Sequence, residues 1–144
     1  MDIEWVRQHC LSFPHTTENV QWQDDLVFKI GGRMYAVVAL GPGDHWLSFK
    51  CTPEEFAELA DRPGIIPAPY LARAHWVSLT GATALPVAEI KRLLRQAYAL
   101  VLAKLPKRSQ ADLAGSHGLA RAASSHGGIG RPAHSTARRP PRSN

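Results

Sequence analysis

Apolar and polar positions change their period several times along the chain, and each change marks an element. Ile3, Val6, Cys10 and Phe13 recur at helical spacing behind Asp2, whose carboxylate can accept from the free amides of an opening turn, so the pattern predicts a first helix that closes at Pro14. After a polar link, Leu26, Phe28 and Ile30 alternate with Val27 and Lys29. Gly31-Gly32 then permits the positive φ angles of a two-residue hairpin turn into Met34 to Leu40. Gly41-Pro42-Gly43-Asp44 supplies the next turn, and His45 to Cys51 alternates again, Leu47, Phe49 and Cys51 against Trp46, Ser48 and Lys50.

Thr52-Pro53-Glu54-Glu55 has the composition of a capping box and predicts a short helix to about Asp61, ended by Pro63-Gly64. Pro67 and Pro69 favour an extended crossing that delivers Tyr70 and then a strand from about His75 to Thr80. From Pro86 onward, Val87, Ile90, Leu93, Leu94, Ala97, Tyr98, Val101, Leu102 and Leu105 follow the 3.6-residue period, making the main helical lid on the sheet. The order predicts an α+β fold: a two-layer sandwich with an antiparallel sheet and helices on one face. The other face is expected to be open.

Composition changes character at Pro106. Residues 1–106 hold ten Lys or Arg against eleven Asp or Glu, whereas residues 107–144 hold seven against one, so the net charge of +5 belongs to the C-terminal part. That part has few large apolar residues and ends Arg138-Arg139-Pro140-Pro141-Arg142, which predicts a disordered basic tail over 107–144 beside a folded domain over 1–106. Two cysteines without metal-ligand spacing, no long apolar run and no basic-then-apolar leader point to a cytoplasmic, non-membrane protein.

Four separated stretches also resemble the MmcQ/YjbR-like family: Phe28 to Ala36, Leu47 to Glu55, Tyr70 to Val77 and Tyr98 to Pro106, in the same order over about residues 1–106. The resemblance implies a small α+β protein with a frataxin-like or secretion-chaperone-like fold. It carries the label DNA-binding, which many members hold on fold similarity. Where some members have an Asn-Lys pair before the His-Trp, this chain has Ala72 and Arg73.

The period of two places Lys29, Trp46, Ser48, Lys50, Trp76, Ser78 and Thr80 on the face away from the helices. Aromatics mixed with cations there would stack bases while neutralising phosphates, or form the interface of a homodimer or protein complex. Lys50, Tyr70, Arg73 and His75 form a second cluster, which would converge on a small anion near the second helix. By strand parity, His75 reads as a hydrogen-bonded histidine at the edge of the core. Lys91, Arg92 and Arg95 make a basic stripe on the last helix, of the kind any solvated helix shows. Neither a nucleophile elbow nor a phosphate loop is present, and His9 and Cys10, adjacent on a helix, point apart. The expectation is a non-enzymatic protein without cofactor or metal that binds DNA or another nucleic acid through the aromatic and basic face, the basic tail, or both.

Overall fold

The computed structural model describes residues 2–43 and 45–115. The elements are α1 (Ile3–Leu11), β1 (Thr17–Gln21), β2 (Asp25–Ile30), β3 (Arg33–Ala39), β4 (Leu47–Lys50), α2 (Pro53–Leu59), β5 (Ile65–Pro67), a 3-10 turn (Ala72–Ala74), β6 (Trp76–Leu79), α3 (Val87–Lys104) and α4 (Lys107–Gly115). The six strands form one antiparallel sheet in the order β1-β2-β3-β4-β6-β5. The α+β two-layer architecture is the expected one.

Local chemistry accounts for the boundaries. The Asp2 carboxylate accepts from the Trp5 amide at 2.9 Å and starts α1. Thr52 Oγ1 accepts from the Glu55 amide at 3.1 Å and starts α2. The reciprocal half of that capping box is not used, because the Glu55 carboxylate reaches Arg92 instead. Gly31 and Gly32, at φ 61° and 83°, turn β2 into β3. In the same hairpin a bulge between Phe28 and Lys29 leaves Tyr35 as an extra residue on β3, so Tyr35 and Ala36 both join the helix-side core.

That core holds Leu26, Phe28, Ile30, Val38, Leu47, Phe49, Val77 and Leu79 from the sheet, closed by Val6 and Cys10 of α1, Leu59 of α2, and Ile90, Leu93, Leu94, Ala97 and Val101 of α3. Each large side chain buried there stabilises the fold by roughly 1.5–3 kcal/mol. Phe13, Tyr35 and Tyr98 pack ring on ring, with Tyr98 5.1 Å from Phe13 and 5.5 Å from Tyr35 between centroids. The Tyr98 hydroxyl donates to the Pro14 carbonyl at 2.8 Å, tying α3 to the end of α1.

Three features differ from the sequence expectation. Thr17–Gln21, polar enough to read as a link, is the edge strand β1, whose backbone pairs with β2 while most of its side chains stay outside. Ile65–Pro67 is a second short edge strand within the expected crossing. The ordered chain also continues beyond Pro106: in α4, Gln110 Nε2 donates to the Leu105 carbonyl at 2.8 Å and Leu113 packs on the helix-side core. The first nine residues of the expected tail over 107–144 are thus helical, and the remainder, 116–144, lies outside the described residues.

Gly31 tests the packing at the hairpin. A Cβ there would stand 2.6 Å from Leu105 Cδ1, whereas Gly32 has nothing within 4 Å of its own. Both substitutions to alanine pay for the left-handed backbone, but Gly31→Ala also displaces a buried leucine. Gly31→Ala is expected to lower unfolding free energy by about 1 kcal/mol more than Gly32→Ala. Equal denaturant midpoints would contradict the close approach of α3 to this turn.

Candidate functional site

The face away from the helices is not open. Residues Ala68 to Leu71 fold across it, and Ala68 and Leu71 pack with Val27, Val37, Trp76, Met34 and Trp22 in a second apolar cluster. Ser48 and Ser78, paired across β4 and β6, share a hydroxyl-hydroxyl hydrogen bond of 2.6 Å and are buried. Beneath the crossing segment a cavity of about 10 Å³ is lined by Asp25, Val37, His45, Ser48, Ala68, Pro69 and Leu71. It has the size of a single water site. Neither Lys50 nor Tyr70 lines it.

The expected aromatic and basic platform is therefore corrected residue by residue. Trp76 is 4% exposed, held inside the second cluster. Trp46 precedes β4 and packs against the helix-side core, so the two tryptophans lie on opposite faces. Strand parity misplaced it because the alternation begins only at Leu47. Lys29 is 2% exposed, and its Nζ has no hydrogen-bond partner among the described residues. Burial pushes its pKa below the usual lysine value.

The second cluster comes together, but not as an anion cradle. Lys50 Nζ donates to the Ala74 carbonyl at 2.7 Å, and burial, with the nearby charge of Lys104, lowers its pKa. His75 lies outside the strand at φ 65°. Its carbonyl accepts from the Cys51 amide at 2.9 Å, and its ring meets Phe56 edge-on at 5.6 Å. Strand parity therefore does not apply to His75, and its ring makes an aromatic contact rather than the expected hydrogen bond. Arg73 and Tyr70 are exposed.

The charges divide in a way that the sequence does not show. Arg7 pairs with Glu4 and Glu18, Arg62 with Glu58 and Glu89, and Arg92 with Glu55 and Glu89. The basic stripe on α3 is thereby partly neutralised, and Arg95 lies 5.7 Å from the centre of the Phe13 ring. Nine cations have no carboxylate partner among the described residues: Lys29, Lys91 and Arg95, and the six Arg33, Lys50, Arg73, Lys104, Lys107 and Arg108.

Those six converge on one end of the sheet. Lys50 ends β4 opposite Trp76, where β6 begins, and the Arg73 turn precedes it. Arg33 starts β3 at the same end, since Ala36 pairs with Phe49. Leu105 packs against Gly31, which brings the end of α3 and the start of α4 to this rim. Five of the six are exposed and Lys50 is half-buried.

Cys10 and Cys51 are buried, and burial pushes both thiols up to about 12, leaving them protonated at neutral pH. Among the described residues no group of three or more His, Cys, Asp or Glu is placed to hold a metal ion, and no helix is long and apolar enough to cross a membrane.

The family model described as YjbR matches residues 11–100. The chain belongs to the YjbR family. The crystal structure of the Deinococcus radiodurans protein DR2400, with a domain described as DUF419, is similar at 34% identity and TM-score 0.70, covering 78% of this chain and 87% of that one. A Pseudomonas syringae protein of known crystal structure, 23% identical with TM-score 0.56 over 69% of this chain and 98% of its own, shares the fold. Among curated proteins none matches the chain. For this YjbR-family member, the rim at the hairpin end replaces the sheet face as the candidate site.

Lys29 offers a check on the covered face. An ammonium buried without a partner costs stability, so Lys29→Met is expected to stabilise the protein by about 1–3 kcal/mol. Because the folded-state pKa is depressed, the folded protein binds fewer protons than the unfolded chain between that pKa and the ordinary lysine value of about 10.4. The parent's stability deficit relative to Lys29→Met should accordingly shrink as pH rises through that window. A methionine variant less stable than its parent at every pH would show that Lys29 is solvated or paired.

Proposed function

We infer that this YjbR-family domain is a non-catalytic polyanion-binding module and that the polyanion is nucleic acid, engaged at the rim. The observation that carries this reading is the segregation of charge. Elsewhere Arg7, Arg62 and Arg92 are matched by carboxylates while Lys29 is buried and Lys91 and Arg95 stand on α3, whereas Arg33, Lys50, Arg73, Lys104, Lys107 and Arg108 gather unmatched at one end. Glu54 and Asp112 are exposed acidic residues on the adjoining helices, so the local balance stays strongly positive. Unmatched cations on one rim create a field that attracts phosphates and releases their counterions.

The chain itself extends this charge. Residues 116–144 carry five arginines and no acidic residue, and they follow α4 in the sequence. Sequence-independent contacts to phosphate are the chemistry such a distribution supports. The reading of a dimer built on the aromatic face loses its surface, because the chain's own Ala68 to Leu71 segment covers Trp76.

Charge reversal measures the contribution of the rim. In the full-length protein, Arg33→Glu, Arg73→Glu and Lys104→Glu combined should lower affinity for a DNA oligonucleotide. The slope of log K against log salt should fall by about 2–3 units, roughly 0.7–0.9 for each phosphate that is no longer neutralised. Lys91→Glu, on the α1 side of α3, should leave both nearly unchanged. Equal effects at the two places, or none at the rim, would reject this site.

A further inference from the structure

We propose that Tyr70 is a base-stacking platform and that the nucleic acid engaged at the rim is single-stranded, an inference that rests on the polyanion-binding reading above. Tyr70 stands in a four-residue turn closed by the Leu71 amide donating to the Ala68 carbonyl at 3.1 Å. Pro69 occupies the second position and fixes its own φ. Tyr70 takes the third position at φ 66°, where a turn of this kind ordinarily carries glycine or asparagine. A tyrosine held there is strained.

Packing does not offset that strain. Ala68 and Leu71 anchor both ends of the turn in the second apolar cluster, but Tyr70 itself is 42% exposed. Among the described residues it is the exposed member of the Phe, Tyr and Trp set, and its ring and hydroxyl make no hydrogen bond or ring contact. The result is an aromatic ring displayed from a turn pinned at both ends. A cation follows it closely in the chain. Arg73 lies three residues on, and Lys50 holds the carbonyl of the next residue, Ala74.

A duplex presents phosphates while its bases stack on one another, so cations alone serve it. An unpaired strand also presents base faces, which an aromatic ring beside cations can stack on without regard to sequence. Tyr70 therefore supplies what distinguishes the two, and the cations supply what both share. A base stacked on an aromatic side chain strengthens binding by about 5- to 150-fold.

Fluorescence anisotropy with the full-length protein tests this, using an oligothymidylate and an oligouridylate of about 12 nucleotides and a duplex of matched phosphate number at one salt concentration. The expected result is tighter binding of at least one single strand than of the duplex. Tyr70→Gly should weaken that strand by about 5- to 150-fold, Tyr70→Phe should retain its affinity, and duplex affinity should stay within about twofold in both variants. Tyr70→Gly should leave the Tm unchanged or raise it, since glycine relaxes the turn, which separates lost stacking from lost fold. A duplex preference in the parent, an unchanged single-strand affinity in Tyr70→Gly, or equal losses on strand and duplex would overturn the proposal while the polyanion reading stands. Failure of all three probes to bind the parent would instead remove the polyanion reading, and the stacking role with it.

Discussion

Burial of β2 on both of its faces is the constraint from which the remaining structure follows. All six residues from Asp25 to Ile30 are buried. Leu26, Phe28 and Ile30 face the layer of α1, α2 and α3, and Val27 faces the segment that crosses from β5 to β6. A sheet enclosed on both sides must settle its polar groups internally, which Ser48 and Ser78 do by bonding to each other. It must also leave recognition to its ends and edges. The crossing segment can close the second face only by turning sharply at Tyr70 and again at His75, both at positive φ. The strain at Tyr70 and the loss of an open sheet face are thus two results of the same coverage.

Much of the fold was legible in the order of apolar residues. The alternation at Leu26 to Ile30, the Gly31-Gly32 turn, the capping threonine at Thr52 and the helical period from Val87 to Leu105 each rest on local chemistry that the folded chain retains. What escaped was set by tertiary context. Thr17–Gln21 has no buried stripe of its own and becomes a strand because β2 offers it an edge. In α4, a short and weakly apolar sequence is held by Gln110 bonding the end of α3 and by Leu113 reaching the core.

The candidate site was less legible for the same reason. Parity correctly placed Lys29, Ser48, Trp76 and Ser78 together on the face away from the helices, but it cannot report that a distant segment covers them. Nor can sequence tell paired cations from unpaired ones. Arg62 and Arg92 look like Arg33 and Arg73 until Glu58, Glu55 and Glu89 are seen beside the first two. Charge neutralised in place contributes little to a long-range field, so the gathering of six unpaired cations at one end, rather than the count of basic residues, locates the rim. Two signals were present in the sequence. Pro69 before Tyr70 marks a turn with an unusual third residue, and the cations of α4 continue directly from the end of α3.

Recognition at the hairpin end of the sheet, with the covered face kept internal, is open to one direct measurement. Backbone amide shift mapping by nuclear magnetic resonance, with an oligonucleotide titrated into the full-length protein, provides it. The perturbed amides are expected to be those of Arg33, Lys50, Tyr70, Arg73, Lys104, Lys107 and Arg108, with Val27, Val37 and Ser78 unmoved. Perturbations centred on Val27, Val37 and Ser78, or on the ion-paired Arg62 and Arg92, would contradict recognition at the rim.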